Sequence, residues 1–101
     1  MNATREIPLH IAFDHPALAG HFPGNPIVPG VVLLDEALFA IDAATGCAHR
    51  GIAWAKFLRP VLPGQALTIR FGSDADGAHP FEILAGVDKV ASGRLSPIAV
   101  P

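Results

Sequence analysis

Cysteine and long apolar runs are scarce in this chain. Their scarcity excludes a protein held together by disulfides and a protein that spans a membrane with a helix. Cys47 is the one cysteine among 101 residues, which excludes an internal disulfide and is typical of a reducing compartment, so we expect a cytoplasmic location. The longest apolar runs, such as VVLL and ALFAI, are interrupted by acidic residues and are far too short to span a bilayer. No basic segment precedes an apolar one near the N-terminus, so we expect no signal peptide.

The sequence also lacks the patterns that are typical of nucleic-acid-binding proteins and of metal-binding proteins. Seven basic and nine acidic residues give a formal charge of −2, and no basic run with interleaved aromatic residues occurs, so nucleic acid is not an expected partner. The close histidines, His15 and His21, form neither an HxH nor an HExxH pattern, and no cysteine joins them. We therefore expect no metal site.

A stiff segment rich in proline and glycine, HFPGNPIVP, runs from His21 to Pro29. Prolines fix φ and lack a backbone donor, so this segment forms neither a regular helix nor a central strand. It leads into a stretch without proline that stops at Gly46, a typical residue beyond a helix C-terminus, and we predict a helix from about Val31 to Thr45. Four polar residues interrupt an otherwise apolar surface, which indicates a buried helix: Asp35, Glu36, Asp42 and Thr45.

Three kinds of chemical group come together in this part of the chain. They are the imidazole of His21, the carboxylate of Asp35, and unpaired backbone N–H groups near Gly30 and Val31 at the positive end of the helix. A carboxylate on a largely buried helix is unfavourable unless it has a partner or faces a wet cleft. That cost is a reason to suspect a functional role for Asp35.

The remaining segments have the patterns of β-strands. Residues 6–13 alternate between apolar and other side chains, and Pro8 places this strand at a sheet edge or at a strand start. Further strands are predicted over 52–61, 67–71, 81–87 and 90–96, with turns at 62–65 and at Asp88-Lys89. Strands around one buried helix predict an α+β fold, with an antiparallel sheet wrapped around a central helix, in a single domain over residues 1–101.

The segment from His21 to Asp35 resembles the active-site segment of the 3-hydroxyacyl-(acyl carrier protein) dehydratases of fatty acid synthesis, which have the hot-dog fold. Their pattern is H-F-P-G-x-P-x-x-P-G-V followed by an acid, and the chain matches it in one register, with Asp35 at 35 − 21 = 14 residues after His21. The segments AKFLRPVLPGQAL and KVASGRLSP resemble the strands that follow the helix in that family.

The resemblance implies roles for individual residues. His21 would be the base that removes the α-proton, and Asp35 the acid, or the group that polarises the β-hydroxyl. The N–H of Gly30, with that of Val31, would bind the thioester carbonyl. The residues expected to line the substrate pocket are Phe22, Pro29 and Phe39. No cofactor is implied, because the substrate is carried on the phosphopantetheine of an acyl carrier protein.

The resemblance also implies an assembly and a partner. In the family the histidine and the acid of one site come from different subunits, which implies a homodimer or a higher oligomer built from it. Carrier proteins are acidic, so basic residues near the site are candidates for docking them. These candidates are Lys56, Arg59, Arg70 and Arg94.

Two features depart from the family pattern. Phe39 stands four residues after the acid, where most such dehydratases carry a glutamine, and the chain is shorter than a typical stand-alone dehydratase. This brevity resembles small dehydratase-like proteins of specialised polyene or polyketide pathways. Two other functions therefore stay open: hydrolysis of an acyl thioester, with Asp35 activating water, and binding of acyl thioesters without catalysis.

Overall fold

A helix and a five-stranded sheet make up the computed structural model, which describes residues 4–11, 27–46, 51–75 and 77–96. The strands are β1 (Arg5–His10), β2 (Ile52–Phe57), β3 (Ala66–Phe71), β4 (His79–Ala85) and β5 (Asp88–Leu95). The helix, α1 (Gly30–Thr45), lies between β1 and β2 in the chain. Phe13, His15, His21, Phe22 and Cys47 lie outside the described residues.

The sheet has the strand order β1-β3-β4-β5-β2, and every neighbouring pair is antiparallel. This arrangement confirms the predicted α+β architecture. β1 lies at one edge of the sheet, as Pro8 indicated, because a proline cannot donate to a second neighbouring strand. The opposite edge is β2, the first strand after the helix.

The hydrophobic core lies between α1 and one face of the sheet. The helix buries Val32, Leu33, Ala37 and Ile41, which recur at helical spacing. Large side chains from the central strands complete the core: Ile69, Phe71, Ile83 and Leu95. Burial stabilises each large aliphatic side chain by about 1.5–3 kcal/mol, which holds the helix on the sheet. No helix in the described ranges has the length and apolarity needed to cross a membrane.

The ends of α1 lie where the sequence predicted them. The helix begins at Gly30, directly after Pro29, and ends at Gly46, whose φ is 71° and whose N–H donates to the Asp42 carbonyl at 2.9 Å. The prediction of a buried helix was only half right. Val31 and Phe39 are large apolar residues that stay exposed, because the sheet covers one side of the helix only.

The strand boundaries differ from the prediction at three places, the first being β1, which ends at His10 and not at residue 13. The turn between β4 and β5 is formed by Gly86 and Val87 and not by Asp88-Lys89, since Asp88 already pairs with Ala85. β2 ends at Phe57, well before residue 61. Beyond it the N–H groups of Leu58 and Arg59 both donate to the Val90 carbonyl, at 2.9 and 3.3 Å, so the regular ladder stops. The turn at 62–65 is confirmed, with Gln65 N–H donating to the Leu62 carbonyl at 3.2 Å.

Candidate active site

The first turn of α1 offers two backbone donors. The Pro29 carbonyl accepts the N–H groups of Val32 and Leu33, at 3.0 and 3.1 Å, and no side chain caps the helix. The N–H groups of Gly30 and Val31 make no hydrogen bond within the described part of the chain. Unpaired donors at a helix N-terminus carry partial positive charge, so they favour an oxygen that gains negative charge during a reaction.

A cavity of about 420 Å³ lies beside Gly30. One wall is formed around the helix start and the other by the connection after β2; the lining residues are Ile27, Val28, Gly30, Leu33 and residues 57–61. The Val28 N–H donates to the Val61 carbonyl at 2.8 Å and so joins the two walls. The volume falls in the range typical of small-molecule sites.

Phe57 packs directly against the start of the helix. A methyl group placed on Gly30 would lie only 2.6 Å from Cζ and 2.9 Å from Cε1 of the Phe57 ring. Glycine is therefore the residue that allows this close approach. Sequence reasoning missed Phe57 as a site residue, because the strand pattern does not show which of its side chains contacts the start of the helix.

Asp35 and Phe39 lie on the exposed side of α1, on one stripe with Val31. Gly30 and Asp35 are separated by five residues, which is about 140° around an α-helix. Asp35 is not among the residues that line the cavity. A single chain therefore does not bring the predicted acid and the Gly30 cavity together.

Two of the four predicted docking residues already form ion pairs with carboxylates. Arg70 Nε donates to Glu6 Oε2 at 3.1 Å, and Arg70 Nη1 lies 3.9 Å from Glu82 Oε1. Arg94 forms an ion pair with Asp74. These guanidinium groups already have anionic partners, which weakens the case for docking at either residue.

The other two predicted docking residues are more available. Lys56 is exposed on β2 and forms no ion pair within the ranges that the structure describes. Arg59 lines the cavity, and its contact with Asp88 is long, at 3.8 Å. Lys56 lies on the edge strand β2, and Arg59 lies two residues beyond its end.

Comparison with known proteins identifies the family. The family model of the ApeI-like proteins, described as ApeI dehydratase, matches residues 2–94. The chain belongs to the ApeI-like dehydratases. It is also 34% identical over 105 residues to the 3-hydroxyacyl-[acyl-carrier-protein] dehydratase FabZ of Wolbachia sp. subsp. Drosophila simulans, covering 88% of this chain and 71% of that protein. FabZ of Chlamydia trachomatis serovar L2 is 34% identical over 106 residues, covering 90% and 69%.

Solved structures confirm the hot-dog fold of this ApeI-like dehydratase. The dehydratase heterocomplex ApeI:P from Xenorhabdus doucetiae contains a chain with a TM-score of 0.78 and 23% identity, covering 95% of this chain and 88% of that one. A probable thioesterase from Bartonella henselae gives a TM-score of 0.65 at 18% identity, covering 93% and 87%. At these identities the likeness shows the fold alone, whereas the family match assigns the chain to the hydro-lyases.

Proposed function

We propose that this ApeI-like dehydratase removes water from a 3-hydroxyacyl thioester carried on the phosphopantetheine of an acyl carrier protein, giving the 2-enoyl thioester. The observation that carries the proposal is the N–H of Gly30, which makes no hydrogen bond with another described residue, at the wall of a cavity of about 420 Å³. The relatives named as 3-hydroxyacyl-[acyl-carrier-protein] dehydratases support the substrate class. The phosphopantetheine of the carrier holds the substrate, so the reaction needs no bound cofactor.

The chemistry explains why a backbone donor matters. A base removes a proton from C2, the electron pair forms the C2=C3 bond, and the C3–O bond breaks as the hydroxyl leaves with a proton as water. The thioester oxygen gains negative charge as the C2 proton departs. A preorganised donor such as the Gly30 N–H stabilises that charge, and a single donor of this kind contributes about 10²–10³ in kcat.

The side-chain roles follow the family motif. His21 is the proposed base, because an imidazole exchanges protons near neutral pH. Asp35 is the proposed acid, or the group that polarises the departing hydroxyl. Because Asp35 lies about 140° around the helix from Gly30, we propose that each cavity uses Asp35 of the partner subunit.

Two exposed regions fit such a homodimer. Val31 and Phe39 lie on the uncovered side of α1, and Leu58 is exposed just beyond the end of the edge strand β2. We expect an interface that includes these residues to bury at least the ~1,600 Å² in total that is typical of a stable dimer. A related hot-dog chain is the alternative partner, since the solved ApeI:P assembly is a heterocomplex.

One assay tests the function against both alternatives. The protein is mixed with a 3-hydroxyacyl thioester and, separately, with an enoyl thioester, and products are followed by mass and by release of free thiol. The proposal expects loss of water from the first substrate and hydration of the second, without thiol release. Thiol release would identify a thioesterase, and binding without either product would identify a non-catalytic acyl-binding protein.

A further inference from the structure

We propose that Phe57 sets the specificity of the site at C2 of the acyl chain: its ring admits unbranched 3-hydroxyacyl thioesters and excludes those with a 2-methyl branch. The inference rests on the proposed function and adds a substrate class to it. It starts from one contact, the packing of the Phe57 ring against Gly30.

Phe57 combines partial exposure with a tight contact. Its side chain is 50% exposed and lines the cavity. Three ring atoms, Cζ, Cε1 and Cε2, lie 2.6, 2.9 and 3.0 Å from the position that a methyl group on Gly30 would take. The ring therefore occupies the space next to the Gly30 backbone and also faces the cavity.

The backbone on either side keeps the ring in place. Phe57 pairs with Ala91 of β5, and the next residue, Leu58, donates its N–H to the Val90 carbonyl at 2.9 Å. Because these contacts tie the end of β2 to β5, the ring cannot retreat by a simple shift of the backbone. Only rotation of its own side chain would open the space.

The proposed carbonyl position brings C2 near this ring. A thioester oxygen bound to the Gly30 N–H lies about 2.9 Å from the nitrogen, and C2 is two bonds from that oxygen. A substituent on C2 that points towards Phe57 therefore meets the same ring atoms that a side chain on Gly30 would meet. A hydrogen on C2 leaves the Phe57 ring in place, whereas a methyl group requires the ring to rotate away from Gly30.

The exclusion is steric and not chemical. A 2-methyl-3-hydroxyacyl thioester keeps one hydrogen on C2, so the base can still remove a proton, form the C2=C3 bond and release water. A difference in kcat/KM between the two substrates therefore reports the space at C2. One methyl group in an apolar pocket typically changes kcat/KM by roughly 10- to 200-fold.

The test compares two substrates in four proteins. kcat/KM is measured for the pantetheine thioesters of 3-hydroxybutyrate and 2-methyl-3-hydroxybutyrate with the wild type, Phe57→Ala, Phe57→Leu and Trp54→Ala. Trp54 is the matched control, because it lies on the same strand with the same 50% exposure but faces a different groove, with Arg70 and Ser92.

We expect the wild type to prefer the unbranched substrate by roughly tenfold or more. Phe57→Ala should reduce this ratio at least several-fold, Phe57→Leu should give an intermediate ratio, and Trp54→Ala should leave it unchanged. A ratio that Phe57→Ala does not alter would overturn the inference while leaving the proposed dehydration intact. If the wild type dehydrates neither substrate, the proposed function fails. The inference is then tested by binding: equal Kd values for butanoyl- and 2-methylbutanoyl-pantetheine would overturn it as well.

A second measurement needs no activity. Gly30→Ala should lower Tm in the wild-type background, since its methyl group meets the Phe57 ring, and should lower it much less in a Phe57→Ala background. This coupling between contacting residues is what a double-mutant cycle detects. Equal losses of Tm in both backgrounds would show that the Phe57 ring moves aside for the added methyl group, so that it would not exclude a 2-methyl branch either.

Discussion

Arg59 Nη1 lies 3.8 Å from Asp88 Oδ2, and the two side chains are 62% and 54% exposed. An exposed ion pair of this kind contributes only about 0–1 kcal/mol. Another anion can therefore replace Asp88 at little cost. Because Arg59 also lines the cavity, we propose that it binds the phosphate of phosphopantetheine or an acidic side chain of a carrier protein.

Charge reversal at Arg59 should weaken recognition of the carrier. We expect Arg59→Glu to raise KM for a carrier-bound substrate by about fivefold, the equivalent of ~1 kcal/mol, and to change KM for a small thioester without phosphate much less. Asp88→Asn removes the competing carboxylate and should lower KM for the carrier-bound substrate. Steady-state kinetics with both substrates, at low and high salt, provide the measurement.

The control at an arginine that already has carboxylate partners is Arg70→Gln. The Arg70 guanidinium is shared between Glu6 and Glu82, so its neutralisation should leave KM for the carrier-bound substrate unchanged. Equal changes of KM for both substrates in Arg59→Glu would refute docking at Arg59.

The helix was predictable because its ends are encoded locally. Pro29 and Gly46 bracket a stretch of good helix formers, and each acts through its own backbone chemistry. The sheet edge at β1 was predictable for the same reason, since Pro8 lacks a donor. The β4–β5 turn was mispredicted because the alternation continues through Val87, whereas the chain reverses at Gly86 and Val87.

The candidate site was only partly predictable, because much of it depends on long-range packing. Phe57 meets Gly30 across 57 − 30 = 27 residues, and no local pattern encodes that contact. The exposure of Asp35 and Phe39 depends on which side of α1 the sheet covers. The sequence of a helix that is apolar nearly all round does not show which side the sheet covers. It is also compatible with a second subunit that covers the side left exposed by the sheet.

The exposed face of α1 gives a prediction about assembly. The Phe39 side chain is 74% exposed in the single chain, so Phe39→Glu should change the stability of the subunit by no more than about 0.5 kcal/mol. If a second subunit covers this face, the same change buries a charge and should dissociate the dimer. Light scattering coupled to size-exclusion chromatography measures the mass of both proteins.

Val87→Glu serves as the control for assembly. Val87 is 95% exposed at the β4–β5 turn, and a charge there should leave the wild-type mass unchanged. A Phe39→Glu variant that still has the mass of the wild-type dimer would exclude this face from the interface.

A close approach within the sheet gives a prediction about stability. A methyl group on Gly93 would lie 2.7 Å from Phe81 Cζ and 2.8 Å from the Trp54 carbonyl oxygen. Overpacking of this kind typically destabilises by about 1–3 kcal/mol, and for a domain of this size each kcal/mol lowers Tm by roughly 4–8 °C. Gly72→Ala is the control, because no atom lies within 4 Å of its added methyl group. Similar Tm values for the two variants would contradict the packing argument.

Single substitutions test the proposed catalytic pair. His21→Ala should lower kcat by about 10²–10⁴, the usual contribution of a general base, and Asp35→Asn should lower it by a similar factor. The double variant should be little worse than either single one, because both residues act in the same step. Single-turnover kinetics on purified variants, with matched Tm values as the check on folding, give these factors.

Mixing the two inactive single variants tests whether His21 and Asp35 of one site come from different subunits. A dimer with one subunit of each kind would have one site with both residues intact and one site with neither. Random exchange places about half of the dimers in this state, so activity should recover to about a quarter of the wild-type value. Subunit exchange is verified independently by mass spectrometry of differently tagged subunits. Exchange without recovery would mean that His21 and Asp35 serve one site from the same chain, or that the chain does not perform the proposed dehydration.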